Sequence, residues 1–220
     1  MFILEDYLEK LINECRFAYG ERLVYLGLQG SYLRGEATEQ SDIDIMAVID
    51  GFCAADMDIY REILKKVGDY ERSCGFICGR DELARWNPLE VIQLRYTTKD
   101  FYGTMSELLP EAKRENQVNY VKVSLGNLYH ELCHRYIHTD KENSAIKLFF
   151  TLKGLFFLIQ NLHYLESGEF LLTKKELKEK VSSDDRYILE LSENYVPQDF
   201  DSVFPRVMEW CRQAFIRSDI

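Results

Sequence analysis

Apolar positions follow two different periods along the chain, and the change from one to the other divides it. Within Phe2–Tyr19, Leu4, Leu8, Leu11, Ile12 and Cys15 share one side of a helix that Gly20 closes. Leu23–Leu28 is short and wholly apolar, a strand that breaks at Gln29-Gly30-Ser31. Asp42–Ile49 alternates, with Ile43 and Ile45 opposite Asp42 and Asp44, before a turn at Asp50-Gly51. Ala54–Val67 predicts a helix, Gly75–Cys78 a third strand and Leu89–Tyr96 a fourth. From Pro110 onward breakers become sparse and helical spacing takes over. Residues 111–138 carry the stripe Val118, Val121, Leu125, Leu128, Leu132 and Tyr136. Residues 142–165 are apolar almost all round, as expected for the centre of a bundle. Thr173 and Glu176 match a capping box, and 184–193 and 201–217 predict two further helices. The pattern therefore predicts an α/β domain over residues 1–103 and an all-α helical bundle over 104–220, with no internal repeat.

Composition narrows the classes without choosing among them. The 220 residues are 46% hydrophobic, ample for packed cores, and the charges are mixed in sign, which argues against global disorder. A net charge of -10 repels a phosphate backbone, so nucleic acid is not an expected partner; a cationic small substrate suits it better. The opening Met1-Phe-Ile-Leu-Glu-Asp lacks a basic region, so no signal peptide is expected. The six scattered cysteines are then expected as thiols in a cytoplasmic protein, with Cys74 and Cys78 as small apolar core residues. No membrane span is expected either. The most apolar stretch, 146–165, is interrupted by Lys147, Lys153, Gln160, Asn161 and His163.

The chemistry is concentrated in Gly30-Ser31-Tyr-Leu-Arg34-Gly35, a short spacer, and Ser41-Asp42-Ile-Asp44. Residues i and i+2 of a strand share a face, so Asp42 and Asp44 present two carboxylates side by side. Like charges that close disfavour one another unless a cation sits between them, and a hard oxygen-liganded dication such as Mg²⁺ is the natural neutraliser. Gly30 lets backbone approach a ligand closely, and the Ser31 hydroxyl with nearby amides can hold phosphate oxygens. A carboxylate pair beside a phosphate cradle is the equipment of phosphoryl or nucleotidyl transfer.

These residues resemble the signature of the nucleotidyltransferase superfamily that includes DNA polymerase β and the aminoglycoside and lincosamide nucleotidyltransferases. Gly30, Ser31, Gly35, Ser41, Asp42 and Asp44 fill its Gly-Ser, spacer and Asp-x-Asp slots. The resemblance implies an α+β fold, a small mixed β-sheet followed by the helical bundle. It implies Asp42 and Asp44 as catalytic metal ligands for Mg²⁺, and Gly30, Ser31 and Ser41 at the nucleotide. The expected partners are an NTP, ATP first, and a small hydroxyl-bearing acceptor, with a homodimer left open. Arg34 can pair with a triphosphate or stand as a surface arginine. Lys147 can reach phosphates, as a second-domain lysine does in related enzymes, or snorkel to solvent. The family's third carboxylate has no counterpart in Gly75-Phe76-Ile77-Cys78, Glu71 and Glu90 lie outside its slot, and the position stays open. A catalytically inactive nucleotide-binding regulator, or an antitoxin-like partner protein, is accordingly the alternative.

A second motif competes. His130-Glu131-Leu-Cys-His134 matches the zincin pattern H-E-x-x-H on a helix, but no glycine-spaced third histidine follows. His130, His134 and His138 line up opposite the apolar stripe, as a solvated row or a face turned toward the other domain. Trp86 and Trp210 are expected in cores. Tyr96, Phe101 and Tyr102 are candidates to stack on a base or sugar.

Overall fold

The computed structural model describes residues 2–219, the side chain of Leu89 excepted. The chain forms two compact units, residues 1–111 and 112–220. The division falls later than the change of period because Met105 and Leu109 are buried and the Met105 amide donates to Asp100 Oδ2 (3.4 Å), which ties the connection to the first unit.

In the first unit α1 (Leu4–Tyr19) leads into β1 (Leu23–Leu28), α2 (Gly30–Arg34), β2 (Ile43–Ile49), α3 (Ala54–Val67) and β3 (Ser73–Gly79). Then come α4 (Arg80–Ala84), α5 (Pro88–Tyr96) and β4 (Lys99–Tyr102). The four-stranded sheet has the order β3-β2-β1-β4. β1 runs antiparallel to both β2 and β4, and β2 runs parallel to β3, so the sheet is mixed. Parallel neighbours need a crossover, and α3 supplies it. Tyr7, Leu11, Cys15 and Tyr19 of α1 and Ile63 of α3 pack on one face with Leu26, Leu28, Ile43, Ile45, Ala47 and Ile49. α4 lies against β2 and β3.

The strand expected over Leu89–Tyr96 is instead the helix α5. Pro88 occupies its first position, where a missing N–H costs nothing, and the neighbours Val91 and Ile92 are both buried rather than alternating. The true fourth strand, Lys-Asp-Phe-Tyr, is an edge strand with Lys99 and Asp100 exposed, which hides it from a hydrophobic pattern.

The second unit comprises α6 (Arg114–His138), α7 (Lys141–Ser167), α8 (Lys174–Lys180), α9 (Ser183–Asn194) and α10 (Phe200–Arg217). Val121, Leu125, Leu128 and Leu132 of α6 form one core with Leu152, Leu155 and Ile159 of α7, Leu177, Ile188 and Trp210. An 18-residue window of α7 has mean hydropathy 1.4, enough by length and composition to cross a membrane, yet 56% of it is buried within the chain. Gln160, Asn161 and His163 are buried among its apolar residues, as suits a core helix. α7 is not enclosed all round, because Ile146, Phe150 and Phe157 are exposed.

A guanidinium ties three helices of this unit together. Arg217 of α10 donates to both carboxylate oxygens of Asp185 on α9 (2.8 Å each) and to Glu166 of α7 (2.7 and 3.0 Å). Asp185 also accepts from Trp210 Nε1 (2.7 Å). Replacing Asp185 by Ala leaves Arg217 with Glu166 alone and the Trp210 N–H without its acceptor, so it should cost about 1–3 kcal/mol, read as a lower denaturant midpoint at unchanged slope. In the first unit, the Arg22 guanidinium, with a weaker contribution from the Cys53 amide, holds Asp56 below the usual carboxylate range against the opposing effect of burial. A depressed carboxylate stabilises the folded chain above its unfolded pKa of about 4 and loses that contribution as pH falls through its lower folded value. The stability gap between the parent chain and Asp56→Asn should therefore be flat from neutral pH to about pH 5 and narrow at lower pH.

Candidate active site

Strand alternation decides where the two carboxylates go. Ile43 and Ile45 are buried against α1 and α3, so Asp44 between them projects from the opposite face of the sheet. Asp42, two residues earlier, is exposed just ahead of the strand. Asp44 stands in register with Cys74 of the parallel strand β3, and Asp42 lies two residues before it in the chain. Among the described residues neither is joined to a lysine or arginine, so their charges are uncompensated by the chain.

The bend after β1 meets Asp44 directly. The Gln29 amide donates to the Asp44 carbonyl (2.8 Å), which fixes the two segments side by side. Gly30 has φ +67°, and a Cβ built there would lie 1.8 Å from Asp44 Oδ2. Only glycine leaves room for that carboxylate. Ser31 follows, half-buried, and its hydroxyl makes no hydrogen bond among the described residues. α2 is a single five-residue turn of helix that ends at Gly35 in the left-handed region.

The other expected nucleotide contacts are differently engaged. Ser41 Oγ accepts from the Thr38 amide (2.8 Å) and closes the spacer turn. Arg34 Nε donates to Glu36 (2.9 Å) in a partly exposed pair. Lys147 is exposed on α7 in the second unit, and its carbonyl accepts from Thr151 Oγ1 (3.2 Å). Phe101 and Tyr102 pack against the sheet core and Tyr96 is 40% exposed.

Two residues of the site had no signal in the motif. Arg72, just before β3, donates to the Ser41 carbonyl (3.1 Å) and to the Tyr32 hydroxyl of α2, and its guanidinium covers the Phe2 ring at 4.7 Å. It joins the two ends of the spacer, a positioning role that only the β2–β3 pairing creates. Cys74 is the other. The expectation of a small core residue is corrected: Cys78 is buried, but Cys74 is exposed and sits in register with Asp44. Partial desolvation, then the Asp44 and Asp42 charges, push the thiol's pKa up, so it stays protonated. The strand beside the carboxylate pair thus contributes a thiol, not an acid.

Among the described residues no three His, Cys, Asp or Glu side chains gather closely enough to hold a metal ion alone. Two carboxylates without a basic partner, one on β2 and one just ahead of it, nevertheless fit a hard dication that keeps water and ligand oxygens for its other positions. The H-E-x-x-H stretch is no zincin site. Glu131 pairs with Arg135 (2.5 Å) and accepts from Thr151 (3.2 Å), while His130, His134 and His138 are exposed. Trp210 is buried, but Trp86 is only half-buried, edge-on to Phe76 and donating to Glu90 (2.7 Å).

The sequence pattern of a family described as a nucleotidyltransferase domain matches residues 8–123. A protein of Methanocaldococcus jannaschii, provisionally named a protein adenylyltransferase, is 35% identical over 46 residues, 21% of this chain and 31% of its own length. The chain thus spans about a third of that curated relative. The crystal structure of a spectinomycin adenyltransferase from Enterococcus faecalis, solved with ATP and spectinomycin, superposes with a TM-score of 0.58 at 14% identity. That match covers 98% of this chain and 99% of the other, and it shows a shared fold. A toxin–antitoxin structure with AMP-PNP matches 59% of this chain and 92% of its own at 21% identity, with a TM-score of 0.33, too low to equate the folds.

Two glycines with nearly the same φ separate strain from collision. Gly35 has φ +69° with nothing within 4 Å of a built Cβ, whereas Gly30 has both positive φ and the Asp44 collision. Gly35→Ala should cost about 1–2 kcal/mol of stability, from backbone strain alone, read in a denaturant titration. Gly30→Ala should cost more than Gly35→Ala in the same titration, because Asp44 must also move.

Proposed function

The chain belongs to the nucleotidyltransferase domain family, and on that premise we propose that it transfers a nucleoside monophosphate from an NTP to a hydroxyl of a small-molecule acceptor, releasing pyrophosphate. ATP is the first candidate donor. The observation that carries the reading is the collision-free seat of the Asp44 carboxylate on bare Gly30, with Asp42 two residues earlier and the Ser31 hydroxyl, unpartnered among the described residues, next in the chain.

Asp42 and Asp44 are the residues that would hold Mg²⁺. When bound, that ion supplies positive charge against the negative charge that builds on the transferring phosphoryl group. Ser31 donates its hydroxyl to a phosphate oxygen, and Gly30 lets the backbone come close to it. Arg34 can turn from Glu36 to the phosphates at small cost, since an exposed ion pair contributes little. Arg72 keeps the spacer closed through Ser41 and Tyr32, so that α2 and the Asp42–Asp44 segment stay in step. The net charge of -10 favours a cationic acceptor of the aminocyclitol kind.

One observation favours a second reading. Cys74 stands in register with Asp44, and a protonated thiol cannot take a proton from an acceptor hydroxyl. A nucleotide-binding regulator or antitoxin-like partner without turnover would tolerate that residue. Incubation with labelled ATP, Mg²⁺ and a panel of hydroxyl-bearing acceptors separates the two. The enzyme reading expects acceptor-dependent pyrophosphate release, reduced about 10²–10³-fold in Asp42→Asn and in Asp44→Asn. ATP binding without release at any acceptor concentration would instead support the regulator.

A further inference from the structure

The histidine row on α6 belongs neither to the carboxylate site nor to a zincin, and its geometry singles out one pair. His130, His134 and His138 follow one another at i, i+4 and i+8 and are all exposed. Ring centroids are 5.9 Å apart for His130–His134 and 4.8 Å apart for His134–His138. A metal bound in the ring plane lies about 3.2 Å from an imidazole centroid, taking a metal–nitrogen distance of about 2.1 Å and the ring radius together. A 4.8 Å separation then closes a nitrogen–metal–nitrogen angle of roughly 95–100°, between the square-planar or octahedral and the tetrahedral values. The 5.9 Å separation would demand roughly 130–135°, which none of these geometries offers.

We propose that His134 and His138 form a two-imidazole chelate for a borderline divalent transition metal, with Cu²⁺ held more tightly than Ni²⁺ or Zn²⁺. The helix already places both side chains on one face, so little ordering is needed on binding. Imidazole suits these ions and not Mg²⁺ or Ca²⁺, which take oxygen donors. The neighbouring Arg135 does not oppose a cation, because Glu131 pairs with it at 2.5 Å and Thr151 accepts from it at 2.9 Å. Among the described residues no third ligand gathers here, so water fills the remaining positions and the ion exchanges freely. The pair is also one turn further along than the motif, since His130, the first histidine of H-E-x-x-H, takes no part.

The test is calorimetric titration of the chain, without any polyhistidine tag, with CuCl2, NiCl2, ZnCl2 and MgCl2 at neutral pH. One Cu²⁺, Ni²⁺ or Zn²⁺ per chain is expected at the pair and no displacement of it by Mg²⁺. His134→Ala and His138→Ala should each weaken binding at least about tenfold. His130→Ala should leave the affinity unchanged, as should Asp42→Asn with Asp44→Asn, which separates this site from the carboxylates. Circular dichroism checks that α6 stays helical in each variant, and these exposed positions carry no packing to lose. Equal losses in His130→Ala and His138→Ala, undiminished binding when His134 and His138 are both replaced, or no saturable binding would overturn the assignment.

Discussion

The burial of Ile43 and Ile45 is the constraint on which the site depends. Side chains alternate along β2, so sealing those two against α1 and α3 forces Asp44 onto the other face with Asp42 next to it. A register slip of one residue would reverse this, taking the acids into an apolar core and the isoleucines out. Two unpaired carboxylates cannot be buried without a large desolvation cost, so the same acids that make the site also lock the register. The close fit of Asp44 to Gly30 adds a steric lock, holding the bend after β1 against β2.

Both units use an arginine to join pieces that lie far apart in the chain. Arg72 gathers α2, the end of the spacer and the Phe2 ring, while Arg217 joins α7 and α9 to α10. The planar fork of a guanidinium suits this work, because several acceptors can be met at fixed angles by one side chain. The two differ in what they secure. Arg217 is committed to two carboxylates and stabilises a core, whereas Arg72 meets a carbonyl, a phenol, a ring and, more distantly, the Asp69 carboxylate (3.5 Å), and shapes the loop before β2.

What could be read from the sequence was what is local. β1, β2, the Gly30-Ser31 bend and the alternation of Asp42 with Ile43 are short-range patterns, and each maps onto a single element. α6, α7, α9 and α10 were legible because their apolar positions repeat over several turns, and the seven-residue α8 by its Thr173–Glu176 capping box. α5 was misread because nine residues are too few to separate a buried helix from a strand, and β4 because an exposed edge carries no apolar pattern. Cys74 and Arg72 could not be found in the motif at all. Their place beside Asp44 and Ser41 comes from the parallel pairing of β2 with β3, a relation between segments about thirty residues apart that no spacing rule encodes.

The two hydrophobic cores share no residue: one is closed by α1, α3 and the sheet, the other by α6 to α10. Heat absorbed on melting need not then fall in one cooperative step, and a single midpoint would not be a property of the whole chain. Calorimetric and van't Hoff enthalpies need not agree for such a molecule, and each endotherm would report on its own half.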